Sequence, residues 1–524
     1  MTSSSPLTIG IIGAGTMGSG IALVALSAGH QVILQDVVPS VLDQAKSYLE
    51  KFLARKEMHA RMANVQFTSD LDSFALASIV IEAALEDLSL KQDLFARLER
   101  ICSPVALLTT NTSTLPVTAI ASAIATPERV AGFHFFNPAP ILPLVEVVRG
   151  ALTSQETVDA LVALAEQMGK TPVVTRDTPG FIVNRVARPF YGEALRLVGE
   201  RVATHKEIDW VVQLGGGFRM GPFRLMDLIG IDINATAMKS MYEQTFGEPR
   251  YRPHWLQTQM IQAKRFGRKS GRGFYDYQSE IDDMIPTPPE VGNNAGTLIL
   301  SEGSYAPGLT GICEQSGYTL VHHPVPEMSP LAGLVLKGKN EGLKQAVIQM
   351  DSTLPPDVPL FCQCADASLT EIATWIDYPE TLVGFDGLFF CNGTLVTLVS
   401  TPFLADHVRE AAEEFVRSLG RIPLWIEDSP GLILPRMICM LINEAAFAVL
   451  EGVADAETID LAMRLGVNYP RGLVEWGREL GFSRVIAVLE HLRAEYGEER
   501  YRVCRLLRQW ERHDIVRRKK AEME

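Results

Sequence analysis

Long apolar runs are missing from this 524-residue sequence. None approaches the roughly 18 uninterrupted apolar residues of a membrane span, so no membrane segment is expected. A basic n-region is missing as well. The opening MTSSSPLTIGIIGAG passes from its apolar run straight into a glycine turn, with no small-residue cleavage site, so no secretory leader is expected. Cysteine is scarce: seven residues, odd in number and scattered, argue against a disulfide framework and point to a reducing cytoplasm. Cys362 and Cys364, in LFCQCAD, read as part of a buried strand and not as a metal or redox pair; no metal site is expected. Positive charge is outweighed, since 48 Lys and Arg stand against 62 Asp and Glu for a formal net charge of −14. Nucleic acid, a polyanion that needs a basic surface, is thereby excluded as a partner. A phosphate-bearing small molecule is not excluded, because a local glycine loop binds phosphate whatever the global charge.

Low-complexity tracts are also absent, and 47% hydrophobic with 21% charged residues is ordinary globular composition. The length exceeds one core and suggests several domains at about 100–200 residues each. LTIGIIG, AGTMGSGIALVALSAG and HQVILQD read as strand, glycine turn with helix, and strand. That is a βαβ unit, and SIVIEAA and VALLTTNT continue it as further strands of a parallel sheet. After Phe181 the pattern turns helical, as in FIVNRVARPFYGEALRLVGE. IDDMIPTPPEVGNN, rich in proline and acid, reads as a linker.

An internal repeat organises the remainder. GKTPVVTRDTPGFIVNR from Gly169 resembles GRIPLWIEDSPGLILPR from Gly420, and the same offset of 251 lays Glu193 on Glu444, Asp209 on Asp460 and Gly221 on Gly472 without a gap. A weaker echo places Gly29 on Gly317. The fold expected is an α/β Rossmann-type domain followed by an all-α domain, the unit duplicated and its second copy degenerate. The expected boundaries are 1–182 (nucleotide-binding), 183–280 (helical), 281–294 (linker), 295–419 (degenerate Rossmann-like) and 420–524 (second helical). Helices after Gly420 are expected to pack on those after Phe181 with approximate twofold symmetry, as a pseudo-dimer within one chain or alongside homodimerisation.

Gly13, Gly15 and Gly18 form GxGxxG between a strand and a helix. The first permits the tight turn, the second lets backbone approach a pyrophosphate, the third allows close helix packing, and the helix N-terminus favours negative charge. Asp36 ends the second strand, where a carboxylate accepts hydrogen bonds from ribose hydroxyls and repels a 2′-phosphate, so NAD is favoured over NADP. In RVAGFHFFNPAPILPLVEVV, two strand-like runs flank a proline-rich turn. Antiparallel pairing about Pro140 sets His134 opposite Glu146, the arrangement that orients a general base. Spacing alone leaves open the plainer reading of a core histidine with a surface glutamate.

GIIGAGTMGSGIA, NTST, HFFNP, LVEVV, DTPGFIVNR and GRKSGRGFYDY, in this order, closely resemble the L-3-hydroxyacyl-CoA dehydrogenases. The likeness is to the 3-hydroxybutyryl-CoA dehydrogenase-like long bacterial form with an extra C-terminal helical domain. It is strong over residues 7 to about 278 and weak beyond. It implies NAD-dependent oxidation of L-3-hydroxyacyl-CoA to 3-oxoacyl-CoA, of the β-oxidation type. His134 would be the general base, Glu146 its partner, and Ser113 and Asn184 would hold substrate oxygens, with Asn184 reaching in from the helical domain. Gly13, Gly15, Thr16, Met17, Gly18, Asp36, Glu86, Lys91, Asn111, Asn137 and Lys269 match positions lining the NAD site of relatives. Without the resemblance, Lys91 and Lys269 read as solvated surface residues. Lys51, Arg55 and Lys56, in LDQAKSYLEKFLARKEMHARM, are candidates for coenzyme A phosphates, against the plain reading of a solvated helix face. The competing functions are a dehydrogenase of the same family acting on carnitine or a gulonate-type acid, and a noncatalytic NAD-binding protein.

The repeat also leads to the expectation that the second half is catalytically silent. Gly13, Gly18 and Asp36 fall on Ser301, Ala306 and Pro324. Ser113, His134, Glu146 and Asn184 fall on Ala367, Asp386, Thr397 and Pro435.

Overall fold

Branched apolar runs punctuated by glycine turns fold as strands, and their order fixes the sheet. The structure, a computed structural model, describes residues 6–278, 285–292, 294, 296–301, 308–322, 329–390 and 393–521. Strands β1 (Thr8–Ile12), β2 (Gln31–Gln35), β3 (Val65–Thr68), β4 (Ile79–Glu82), β5 (Leu107–Thr110), β6 (Val130–Phe135), β7 (Leu144–Arg149) and β8 (Thr171–Arg176) form one sheet in the order β3-β2-β1-β4-β5-β6-β7-β8. Neighbours are parallel except β6 and β7. Alternation along β1 sends Ile9 and Ile11 into one layer, against Ile21 of the helix Thr16–Ala28 and Leu161 of the helix Gln155–Gln167. Ile12 faces the other layer, with Phe95 and Leu98 of the helix Leu88–Ile101. Both faces are thus covered, as a parallel sheet requires. The NTST loop and the ends of β4 and β5 lie at the carboxyl edge, where such sheets bind ligands.

The chain divides into two compact units that cut across the linear boundaries expected from sequence. The first comprises residues 1–186 together with 448–472, and the second 187–447 together with 473–524. The returning segment belongs to the first because the helix Ala456–Val467 packs on β7, β8 and the single turn Val183–Val186.

The second unit holds a seven-stranded sheet of β9 (Gly296–Leu300), β10 (Tyr318–Val321), β11 (Pro330–Val335), β12 (Leu360–Gln363), β13 (Leu382–Phe385), β14 (Leu395–Ser400) and β15 (Ile422–Glu427). Its order is β10-β9-β11-β12-β13-β14-β15, parallel except for β13 and β14. This is the order of the first sheet without its edge strand β3. Gly29 and Gly317, matched by the weaker echo, share a left-handed backbone with φ of 97° and 90°. Of the expected linker, residues 281–284 and 293 lie outside the described residues, as do Ala306 and Pro324. Cys362 and Cys364 are buried on and just after β12, and burial raises both thiols far above their ordinary range.

Helical segments that the offset of 251 lays on each other meet inside this unit through a reciprocal set of contacts. Glu193 accepts from Arg436 at 2.8 Å and from the Tyr501 hydroxyl at 3.1 Å. Glu444, its match at offset 251, accepts from Arg250 and the Tyr251 hydroxyl, each at 2.6 Å. Burial raises the Glu193 carboxyl, but the charges of Arg436, Arg196 and Arg500 outweigh it and hold the net value low. The GRKSGRGFYDY segment is tied down in the same unit. Asp227 accepts the amides of Phe274 and Tyr275, and Asp209 accepts the Tyr275 hydroxyl at 2.8 Å. Burial raises Asp209 to about 7.

Candidate active site

The glycine loop is built by backbone necessity. Gly13 has φ of 91°, and a Cβ there would strike the Ala83 carbonyl; a Cβ on Gly18 would collide with the Gly13 carbonyl. Gly15 faces open space and caps the helix Thr16–Ala28 without any side-chain hydrogen bond, so the first-turn amides are available to an anion. Gly15 and Thr16 are exposed, whereas Met17 leans on the core. Asp36 accepts from the Ala14 amide at 2.9 Å and the Val38 amide at 3.0 Å. Those bonds fix its carboxylate beside the glycine turn, where a ribose would meet it. The loop, the open space and the carboxylate fit a dinucleotide.

A carboxylate network supports the neighbouring loops. Lys91 is buried, not solvated, and its ammonium sits 2.6 Å from Glu82 and 3.4 Å from Glu86. Glu82 also accepts from Thr110 at 2.7 Å. Glu86 Oε1 accepts from the Thr112 hydroxyl, the Ser113 amide and both the amide and hydroxyl of Thr114, at 2.6–3.0 Å. Burial pushes its carboxyl up, but the Lys91 charge and the Thr112 and Thr114 bonds together bring it below the usual value. The NTST loop therefore hangs on Glu86. Asn111 accepts from the Phe135 amide at 2.8 Å and joins that loop to β6.

His134 and Glu146 stand opposite each other across β6 and β7, the pairing expected from the turn about Pro140. His134 Nδ1 lies 2.7 Å from Glu146 Oε2, and both side chains are buried. The other oxygen, Glu146 Oε1, accepts the amides of Ile182 and Val183, each at 3.0 Å. His134 Nε2 lies 2.9 Å from Ser113 Oγ. With Nδ1–H donating to the carboxylate, Nε2 is left as acceptor. Asn184 donates to the Ser113 carbonyl at 3.4 Å. It lies in the same compact unit as His134, although the sequence places it at the start of the helical domain, because its turn is held by Glu146.

Other expected residues lie further out. Asn137, followed by a cis Pro138, is exposed at the end of β6. Lys51, Arg55 and Lys56 are all exposed at the end of the helix Pro39–Arg55, and Arg55 stacks over Phe52 at 5.4 Å. Lys269 is in the second unit, exposed and 2.7 Å from Asp232. Two residues escaped the sequence reading. Glu82 ends a buried strand, and only its spacing of nine to Lys91 hinted at a pair. Lys170 donates to the carbonyls of Ala139 and Leu142, at 2.5 and 2.9 Å, pinning the turn between His134 and Glu146. Burial, with the charge of Lys56, lowers it to about 8. Its basic counterpart Arg421 in the repeat was the available signal.

In the second sheet, Asp386 accepts the amides of Leu388 and Phe389, both at 3.1 Å, and burial raises it to about 7. Ala367 and Thr397 are buried, and Pro435 lies in the first turn of the helix Leu434–Leu450.

A doubly wound sheet with an open glycine turn, an acid after its second strand, and a buried carboxylate–imidazole–hydroxyl chain defines an NAD-dependent dehydrogenase acting on a hydroxyl carbon. Comparison with known proteins carries this further. The family model described as 3-hydroxyacyl-CoA dehydrogenase, NAD binding domain, matches residues 8–178, and the one described as its C-terminal domain matches both 180–277 and 431–523. The chain belongs to the 3-hydroxyacyl-CoA dehydrogenase family, and its cofactor is NAD. It is 38% identical over 511 residues to the 3-hydroxyadipyl-CoA dehydrogenase of Escherichia coli K12, covering 96% of this chain and 97% of that one. A probable 3-hydroxybutyryl-CoA dehydrogenase of Bacillus subtilis is 42% identical over 279 residues, 52% of this chain and 97% of its own. The crystal structure of 3-hydroxybutyryl-CoA dehydrogenase from Escherichia coli K12 superposes with a TM-score of 0.82 at 37% identity, covering 97% of this chain and 98% of that one. No helix among the described residues is long and apolar enough to cross a membrane.

Proposed function

We propose that this chain oxidises the 3-hydroxyl of an L-3-hydroxyacyl-CoA with His134 as general base. The observation that carries the reading is the unbroken chain Ser113 Oγ, His134 Nε2, His134 Nδ1, Glu146, at 2.9 and 2.7 Å. The hydroxyl proton passes to Nε2 of the neutral imidazole, and Glu146, held by two backbone amides, balances the charge that grows on the ring. Ser113 and Asn184 fix the substrate oxygens, so that orientation lowers the barrier. Bound NAD supplies the hydride acceptor. Gly13, Gly15, Thr16, Met17 and Gly18 would hold it at the pyrophosphate turn and Asp36 at the ribose. Glu86, Lys91, Asn111, Asn137 and Lys269 are its further proposed contacts. Lys51, Arg55 and Lys56 remain the proposed coenzyme A contacts, being exposed and basic on one helix end. The name of the Escherichia coli relative brings 3-hydroxyadipyl-CoA into the substrate range. Absorbance at 340 nm tests this: acetoacetyl-CoA with NADH should turn over, while carnitine or gulonate with NAD should not, and the reverse pattern would refute the thioester.

The domain boundaries stated from sequence are proposed as the units of a duplication whose second copy is a catalytically silent scaffold. The common strand order and the double match of the C-terminal family model support this. The contacts of Glu193 and Glu444 support a pseudo-dimer within the chain. A cytoplasmic setting is proposed because the six described cysteines are buried and none of them forms a disulfide.

A further inference from the structure

The helical turn Val183–Val186 carries Asn184. It follows Gly180 and Phe181, both left-handed, with φ of 77° and 50°. A non-glycine residue in that region is strained and persists only where its surroundings hold it. The turn nevertheless carries Asn184 and lends two amides at its start to Glu146.

Part of what holds it comes from residues more than 260 positions downstream. Arg185, next to Asn184, is buried, and its guanidinium lies 2.8 Å from the carboxylate of Glu451. Two residues on, the Val453 carbonyl accepts the Arg176 amide at 3.2 Å and the Thr175 hydroxyl at 3.3 Å, stitching the same segment to β8. Gly466 closes the other side. A Cβ there would come 2.8 Å from Leu144 on β7, two residues before Glu146, and 3.0 Å from Val183.

We infer that Glu451, through Arg185, and Gly466, through Leu144 and Val183, are positioning residues for Asn184 and Glu146, so that the catalytically silent half completes the active site of the first. The inference rests on the proposed role of Asn184. Glu451 is about half exposed, so its replacement by glutamine removes the charge without opening a core.

The test measures kcat/KM for 3-hydroxybutyryl-CoA, together with the NAD dissociation constant, in Glu451→Gln, Arg185→Met, their double variant, Gly466→Val and Asn184→Ala. Glu451→Gln and Gly466→Val should each lower kcat/KM about tenfold, since misplacement of around 1 Å in a reacting geometry costs up to about a hundredfold. NAD binding should stay within twofold, because the glycine loop is untouched. The double variant should be no worse than Arg185→Met alone, the mark of a coupled pair. Full activity in both Glu451→Gln and Gly466→Val would overturn the inference while leaving the role of Asn184 standing. Loss of NAD binding in parallel with activity would overturn it in favour of simple destabilisation. Full activity in Asn184→Ala would remove the reading on which it rests, and the inference with it.

Discussion

Asp386 stands opposite Thr397 in the second sheet, its amide 3.1 Å from the Thr397 carbonyl, where the first sheet sets His134 opposite Glu146. The backbone geometry is kept, but a buried carboxylate whose Oδ1 accepts two backbone amides replaces the imidazole, and a threonine stands where the first sheet has its glutamate. One active site per chain is expected. Titration with NAD should saturate at one equivalent, and a His134→Gln, Glu146→Gln double variant should be inert. A second equivalent would contradict the assignment.

His134→Gln alone should bind NAD nearly as the parent does and lose at least about a hundredfold in turnover, the typical worth of a general base. Single-turnover measurement with saturating cofactor separates this from a binding defect. Equal rates would take His134 out of the mechanism.

Asp36→Ala should weaken NAD and narrow the preference over NADP, because the carboxylate proposed to meet the ribose hydroxyls and to repel a 2′-phosphate is removed. Its bond to the Ala14 amide means that the glycine turn should loosen as well. Comparing kcat/KM for the two cofactors checks this, and an unaltered ratio would count against it.

Glu86 gives a pH signature. Its carboxyl is held below the ordinary 4.5, so its contribution to stability is complete above that value and disappears as pH falls through the lowered one. Glu86→Gln should therefore melt at a lower temperature than the parent near pH 7, with the gap closing below about pH 4.5. It should also lower kcat/KM, because Ser113 rides on the loop that Glu86 holds. Melting curves at both pH values decide it: a gap independent of pH would mean that the charge is not what anchors the loop.

How far the sequence could be read follows from how local each interaction is. The His134 and Glu146 register was legible because a hairpin about a proline turn leaves one pairing that buries both apolar faces. The glycine turn was legible because Gly13 and Gly18 answer local backbone demands and Gly15 leaves open space between them. Lys91 was not, because a lysine on an amphipathic helix looks solvated until a buried strand end brings Glu82 beneath it. Lys170 and Arg185 take their meaning from carbonyls and a carboxylate between 28 and 266 residues away. The assignment of 448–472 to the first unit is of the same kind: a repeat predicts what a segment resembles, not which copy it packs against.

The reciprocal contacts of Glu193 with Tyr501 and of Glu444 with Tyr251 have both sides on one polypeptide. Two separate subunits would meet with an affinity set by their concentration, and dilution would part them. Covalent linkage fixes the local concentration of one half around the other, so this contact survives at any enzyme concentration. It also relieves each half of having to work alone. On the proposed duplication, only one half must keep the imidazole and its carboxylate, and the other is free to spend the same strand positions on its own packing.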